Sequence, residues 1–185
     1  MRTLEFLIGI SWIIFWVYWV VSAIRTTAGQ LDTSRRRERG VFLLLWVILY
    51  LALSRPLHLG QMTLQGHLAL KIIGTLIFYG GVALAIWARR AMGSNWGMPM
   101  TTNENSKLVT DGPYRFIRHP IYAAVTVMSL SSGIVLSRAW MLVFVVMSVY
   151  WIYCGLQEEK DLAKRFPKEY PGYKRRTKMF VPYLI

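Results

Sequence analysis

The stretch Gly112-Pro113-Tyr114-Arg115-Phe116-Ile117-Arg118-His119-Pro120-Ile121-Tyr122 gathers two guanidinium groups, an imidazole and two phenols where a polar segment becomes an apolar helix. Pro120 suits the first turn of that helix, because the N–H it lacks would have no intrahelical partner there. Unpaired backbone N–H groups at such a helix start make an anion site, with Arg115 and Arg118 as its candidate clamp and His119 beside them. At the end of the last apolar run stands Gln157-Glu158-Glu159-Lys160. A cationic clamp and an acidic pair, brought together by one helical hairpin, suit a zwitterionic ligand that also carries positive charge. Taken singly, each motif has a plainer reading: Arg118 and His119 as interfacial anchors, Pro120 as a helix start, Glu159 as a solvated helix end.

The elements that must position these groups are apolar. Of 185 residues, 55% are hydrophobic and 14% aromatic, and the mean hydropathy is +0.37, too much apolar sequence for a water-soluble core in so short a chain. An all-α integral membrane protein of one domain follows, with five transmembrane helices: Phe6–Ile24, Val41–Ser54, Ile72–Ala88, Ile121–Ser137 and Ala139–Gln157. The second is short, since a full crossing takes roughly 20 residues. The fourth and fifth are separated by Arg138 alone and are expected to form a tight hairpin. Residues 1–70 then carry two N-terminal spans, and 71–185 carry the other three, the connecting loop and the tail. Phe6–Ile24 is long enough to be a retained helix rather than a signal peptide.

The formal net charge of +13 would suggest nucleic acid in a soluble protein, but the basic residues lie between the spans. Arg35, Arg36, Arg37 and Arg39 follow the first span; Arg89, Arg90 and Lys107 follow the third; Lys160 to Lys178 fill the tail. The positive-inside rule therefore puts the N-terminus outside, the C-terminus in the cytosol and both motifs at the cytosolic face, with the bilayer and no nucleic acid as partner. Cys154 is the only cysteine, which excludes an internal disulfide and a cysteine-based metal site, and no metal is expected.

Between the third and fourth spans, Met92–Ile117 is polar and ends in an Asp111-Gly112-Pro113 turn. Asn95 and Trp96 are expected at the interface. In the tail, Asp161–Phe166 has helical character, with Pro167, Pro171 and Gly172 as breakers. Tyr170, Tyr173, Phe180 and Tyr183 interleave with basic residues, as in a segment lying on headgroups. Gly74, Gly80, Gly81, Ser129, Ser131, Ser132 and Gly133 are expected to pack helices together. His58 and His67 fall on the external side.

Lys107-Leu108-Val109-Thr110-Asp111-Gly112-Pro113-Tyr114, Arg118-His119-Pro120-Ile121-Tyr122, Glu158-Glu159 and the Phe166-to-Tyr173 segment together resemble the isoprenylcysteine carboxyl methyltransferase family, with related phospholipid N-methyltransferases sharing the acidic pair. The resemblance covers Gly93 to Ile185. It implies a membrane methyltransferase using S-adenosylmethionine without a Rossmann fold, and no Gly-x-Gly-x-x-Gly fingerprint is present. By the resemblance, Ser106, Lys107, Leu108, Val109, Tyr114, His119, Pro120, Ile121, Tyr122 and Glu158 hold the cofactor, with Thr101 a further match. His119 and the helix start would hold its carboxylate, Glu158 its ammonium, and Tyr114 and Tyr122 its adenosine. Methyl transfer by in-line displacement would then rely on positioning and desolvation.

One departure bears on the acceptor. Family members carry an arginine one turn before the acidic residue, and here that position is Cys154, which cannot neutralise a carboxylate. Arg89 or Arg90 could substitute. A membrane lipid or a prenylated or otherwise hydrophobic acceptor is expected. Beside a prenylcysteine carboxylate stand a lipid amine such as phosphatidylethanolamine, a small hydrophobic thiol or acid, and, in a different class, a non-catalytic membrane scaffold.

Overall fold

The computed structural model describes residues 2–26, 68–95, 107–137 and 139–181. Among these it contains five α-helices: α1 (Arg2–Thr26), α2 (Leu68–Met92), α3 (Pro120–Val135), α4 (Ala139–Arg165) and α5 (Tyr170–Arg176). Two 3-10 turns, Gly93–Asn95 and Gly112–Arg115, flank the polar connection. The expected second span, His58, His67, Trp96, Thr101, Ser106 and Tyr183 lie outside the described residues.

Among the described residues, three helices are long and apolar enough to cross a bilayer: Thr3–Ser22 within α1, Leu68–Met92, and Trp140–Arg165 within α4. The expected fourth span is α3, whose 16 residues give a rise of about 24 Å, short of the hydrocarbon thickness. It begins at Pro120, the first-turn position the sequence suggests.

Two boundaries differ from expectation. The fifth span does not stop at Gln157 but continues to Arg165, absorbing the Asp161 segment into one helix of 27 residues. Glu, Lys, Leu, Ala and Arg are good helix formers, and no Gly or Pro intervenes before Pro167. Pro171 and Gly172, expected as breakers, sit in the opening turn of α5, where a missing N–H does no harm.

α3 is the centre of the bundle, packed on α2 and α4, with α1 laid against α2 and α3. Glycines allow the close approach of α2 and α3. A Cβ on Gly81 would stand 2.7 Å from Met128 Cγ and 3.1 Å from the Ala124 carbonyl oxygen, and one on Gly74 would meet Val135. Ser129, Ser131 and Ser132 each donate to a carbonyl one turn back, which satisfies their hydroxyls inside the bundle. α1 is tied down from end to end. Lys71 Nζ lies 2.6 Å from Glu5 Oε1, Trp12 Nε1 donates to Ser132 Oγ at 2.9 Å, and Arg89 donates to Ser22 Oγ at 3.0 and 2.9 Å. Ile13, Ile14, Val17, Leu76, Val145 and Val149 face outward, an apolar exterior suited to lipid.

Candidate active site

The Asp111-Gly112-Pro113 turn begins the site. Gly112 has φ +61°, and a Cβ there would lie 3.0 Å from Ala91 Cβ and 3.3 Å from Trp87 Nε1 of α2, so this turn needs glycine twice over. The turn closes through Tyr114 N–H to the Asp111 carbonyl at 3.1 Å and buries Pro113 and Tyr114. Lys107 N–H donates to Asn95 Oδ1 at 2.9 Å, joining the two ends of the polar connection.

The C-terminal segment then straps across the entry to α3. Arg118 N–H donates to the Lys178 carbonyl at 2.8 Å, and His119 N–H donates to the Met179 carbonyl at 3.1 Å, beside a parallel bridge between Ile117 and Lys178. Tyr173 OH donates to the Tyr114 carbonyl at 2.8 Å. Burial pushes the Tyr173 phenol up to about 12, so it stays a neutral donor at ordinary pH. Burial likewise raises the Tyr114 and Tyr170 phenols.

His119 is the N-cap of α3 and is 5% exposed. Its Nδ1 lies 3.4 Å from Glu158 Oε2, and Tyr122 OH donates to the other oxygen of Glu158. The His119 and Tyr122 rings are parallel within 4° at 5.5 Å, and Tyr122 stacks in turn on Trp151 at 4.6 Å. A three-ring column therefore leads from the helix start into the bundle. The Phe180 ring lies 5.7 Å from that of His119, tilted by 39°. Burial alone would depress the His119 pKa, but the Glu158 carboxylate beside Nδ1 and the negative charge of Glu159 outweigh it and raise the imidazole above its ordinary 6.5.

The two glutamates part company. Glu158 keeps 28% of its side chain accessible, whereas Glu159 keeps 6%. Glu159, expected as a solvated helix end, is a buried hub. It takes Arg118 Nε at 2.7 Å and Lys174 Nζ at 2.6 Å, with His119 Nε2 at 3.7 Å, beyond hydrogen-bond reach. Arg118 also donates to the carbonyls of Thr177 and Lys174. Its guanidinium thus holds protein groups, while Arg115 is exposed with its Cζ 4.4 Å over the Phe116 ring. Tyr170 and Tyr173, expected at headgroups, are buried instead, because α5 folds back under the strap.

Of the sequence candidates, Tyr114, His119, Pro120, Tyr122 and Glu158 come together; Leu108, Val109 and Ile121 are half-buried nearby in sequence, and Lys107 is exposed. Cys154 is fully buried in the same apolar cluster as Tyr122 and Trp151. The motif reading misses Lys174, and it names Glu159 and Tyr173 without their roles as buried hub and buried donor. A signal existed for Glu159: Val143, Met147, Trp151, Cys154, Gly155 and Glu159 form one helical stripe, and all are buried.

A model of the phospholipid methyltransferase family matches residues 70–169, more than half the chain and all of the His119–Tyr122–Glu158 site. The chain belongs to that family. It is 35% identical over 71 residues, 38% of this chain and 24% of the relative, to methanethiol S-methyltransferase 1 of Bradyrhizobium diazoefficiens. It is 31% identical over 107 residues, 56% of this chain and 47% of the relative, to the cobalt-zinc-cadmium resistance protein CzcN of Cupriavidus metallidurans. The matched regions thus span less than half the length of either curated relative. The likeness to isoprenylcysteine carboxyl methyltransferases holds at this level, that of a membrane methyltransferase family. In this phospholipid methyltransferase family member, α1, α5 and the strap after it lie outside the matched region.

Proposed function

We propose that the protein is an S-adenosylmethionine-dependent methyltransferase of the membrane, acting on a hydrophobic or lipid-borne acceptor. The observation that carries this is Glu158: a carboxylate oriented by Tyr122 and His119 with 28% of its side chain accessible, beside the buried Glu159. The residues fit the cofactor. Glu158 offers negative charge to its ammonium and sulfonium region, and His119 Nε2, 3.7 Å from Glu159 Oε1, is buried without a hydrogen-bond partner among the described residues and so has a donor left for the cofactor carboxylate. When bound, S-adenosylmethionine supplies an electrophilic methyl group on sulfur. Tyr122 fixes the Glu158 carboxylate, Glu159 and Arg118 hold the strap, and the strap's Met179 carbonyl holds His119 at the site. Ser106, Lys107, Leu108, Val109, Tyr114, Pro120 and Ile121 are proposed as further cofactor-binding positions on the family resemblance. Charge asymmetry favours an external N-terminus, and a C-terminus and site facing the cytosol.

A second observation favours an acceptor without a carboxylate. Cys154 lies in an apolar cluster where isoprenylcysteine carboxyl methyltransferases place an arginine, so a lipid amine or a thiol suits this chain better than a prenylcysteine carboxylate. The test is transfer of labelled methyl in nanodiscs to phosphatidylethanolamine, a long-chain thiol and a prenylcysteine, followed by base treatment. Base-stable product lost in Glu158→Ala supports the reading, and base-labile ester would restore the carboxylate acceptor. No transfer, with no S-adenosylmethionine binding by intact wild-type protein, would leave the scaffold reading.

A further inference from the structure

The C-terminal strap has two faces of opposite kind. Tyr173, Thr177 and Met179 turn inward and are buried, with the Thr177 hydroxyl donating to the Tyr173 carbonyl at 2.8 Å. Lys174, Arg175, Arg176 and Lys178 lie on the outer side and are exposed. Lys174 is shared with Glu159, and the other three cations remain on the surface. The bridge between Ile117 and Lys178 fixes the height of this surface. Lys178 N–H donates to the Phe116 carbonyl at 3.4 Å and Arg118 N–H to the Lys178 carbonyl at 2.8 Å, so the strap lies where the chain enters α3 at Pro120. Phe116 is 38% exposed there with the Arg115 guanidinium 4.4 Å over its ring, and Val181 is 41% exposed. Apolar side chains set among cations suit a bilayer interface, where the ring meets the acyl boundary and the charges meet phosphate. At this end of the bundle, the exposed carboxylates among the described residues are Asp111 and Glu169, too few to neutralise the face.

We infer that this outer face, centred on Phe116 and carrying Arg115, Arg175, Arg176 and Lys178, docks on anionic phospholipid headgroups of the leaflet at this end of the bundle. The lipid bound there is a surface ligand, not a methyl acceptor, and the inference does not depend on the reaction the protein performs. Docking on the outside steadies the inside, because the same strap gives its Lys178 and Met179 carbonyls to the Arg118 and His119 N–H groups. Lys164 and Lys168 are exposed too, but they lie at and past the far end of α4, where Lys164 is about 9 Å beyond Glu158 by helical rise. Their charge is equal in kind and differently placed, which separates a built surface from net charge alone.

The test titrates the full-length protein in detergent with phosphatidylglycerol or phosphatidylcholine, neither of which has a nitrogen able to take a methyl group, and counts lipid-bound species by native mass spectrometry. Each cation at such a surface is worth about fivefold, so the wild type should bind phosphatidylglycerol about tenfold or more tightly than phosphatidylcholine. Arg115→Gln/Lys178→Gln should lose that preference, and Lys164→Gln/Lys168→Gln should keep it; all four side chains are exposed, and thermal unfolding shows that both variants are folded. Equal binding of the two lipids by wild type, an intact preference in Arg115→Gln/Lys178→Gln, or an equal loss in both variants would overturn the docking surface. In nanodiscs, phosphatidylglycerol should also slow hydrogen exchange of the Arg118 and His119 amides, and unchanged exchange would overturn the coupling from the outer face to the start of α3.

Discussion

Arg118 Nε and Glu159 Oε1 lie 2.7 Å apart with side chains only 9% and 6% exposed. This contact joins the segment before α3 to the end of α4, and Lys174 of α5 completes it from the other carboxylate oxygen at 2.6 Å. The motif that looks like an anion clamp in the sequence is therefore a latch holding the C-terminal strap over the site.

Removing one member of a buried pair leaves the other charge without compensation. Arg118→Ala is expected to lower stability by about 3–5 kcal/mol, and Lys174→Ala far less, since Lys174 is 53% exposed. Thermal unfolding in nanodiscs measures both, and equal losses would remove the distinction.

Tyr173→Phe deletes the hydroxyl that satisfies the buried Tyr114 carbonyl. The expected loss is about 1–3 kcal/mol, because that carbonyl is left unpaired away from water. Hydrogen exchange localised to the Gly112–Arg115 turn should rise in the variant; unchanged protection there would deny the hydroxyl its role.

The His119 imidazole is raised above its ordinary 6.5 by Glu158 and Glu159 acting against burial. A raised folded-state pKa means stabilisation fully present below about pH 6.5 and lost as pH climbs through the folded value. With Arg118, Lys174 and Tyr122 as the other polar neighbours, the stability gap between wild type and His119→Gln should narrow as pH rises above 6.5. A gap that widens instead would mean that His119 is held neutral.

Gly155 lies under the site. A Cβ there would stand 2.6 Å from Met179 Cε, which can swing aside, and 3.3 Å from His119 Cδ2 and Nε2, which are clamped. Gly155→Ala should therefore cost about 1–3 kcal/mol of stability and displace the imidazole. S-adenosylhomocysteine titration should show weaker binding in this variant, and wild-type affinity would place His119 outside the ligand site.

Much of the site was legible because its chemistry sits in two local motifs. Pro120 marks a helix start by its own backbone, and Glu158 follows from the end of an apolar run. What escaped notice depends on chain far away. Glu159 reads as solvated because it stands at the end of an apolar run, yet Arg118 and Lys174 reach it from segments distant along the chain. Tyr170 and Tyr173 carry the pattern of an interfacial tail, and only the fold-back of α5 shows them as interior. Of the fold, α1, α2 and α4 are plain from hydropathy, and α3 matches its apolar run to within two residues at either end.

The most direct test of the account is calorimetric binding of S-adenosylmethionine to wild type and Glu158→Gln in nanodiscs. Glu158→Gln keeps the side-chain shape and removes the carboxylate charge, so affinity should fall about tenfold or more in a protein that is still folded, though less stable for the loss of the charge beside His119. Unchanged affinity in a folded Glu158→Gln protein would contradict the assignment of Glu158 as the ligand carboxylate.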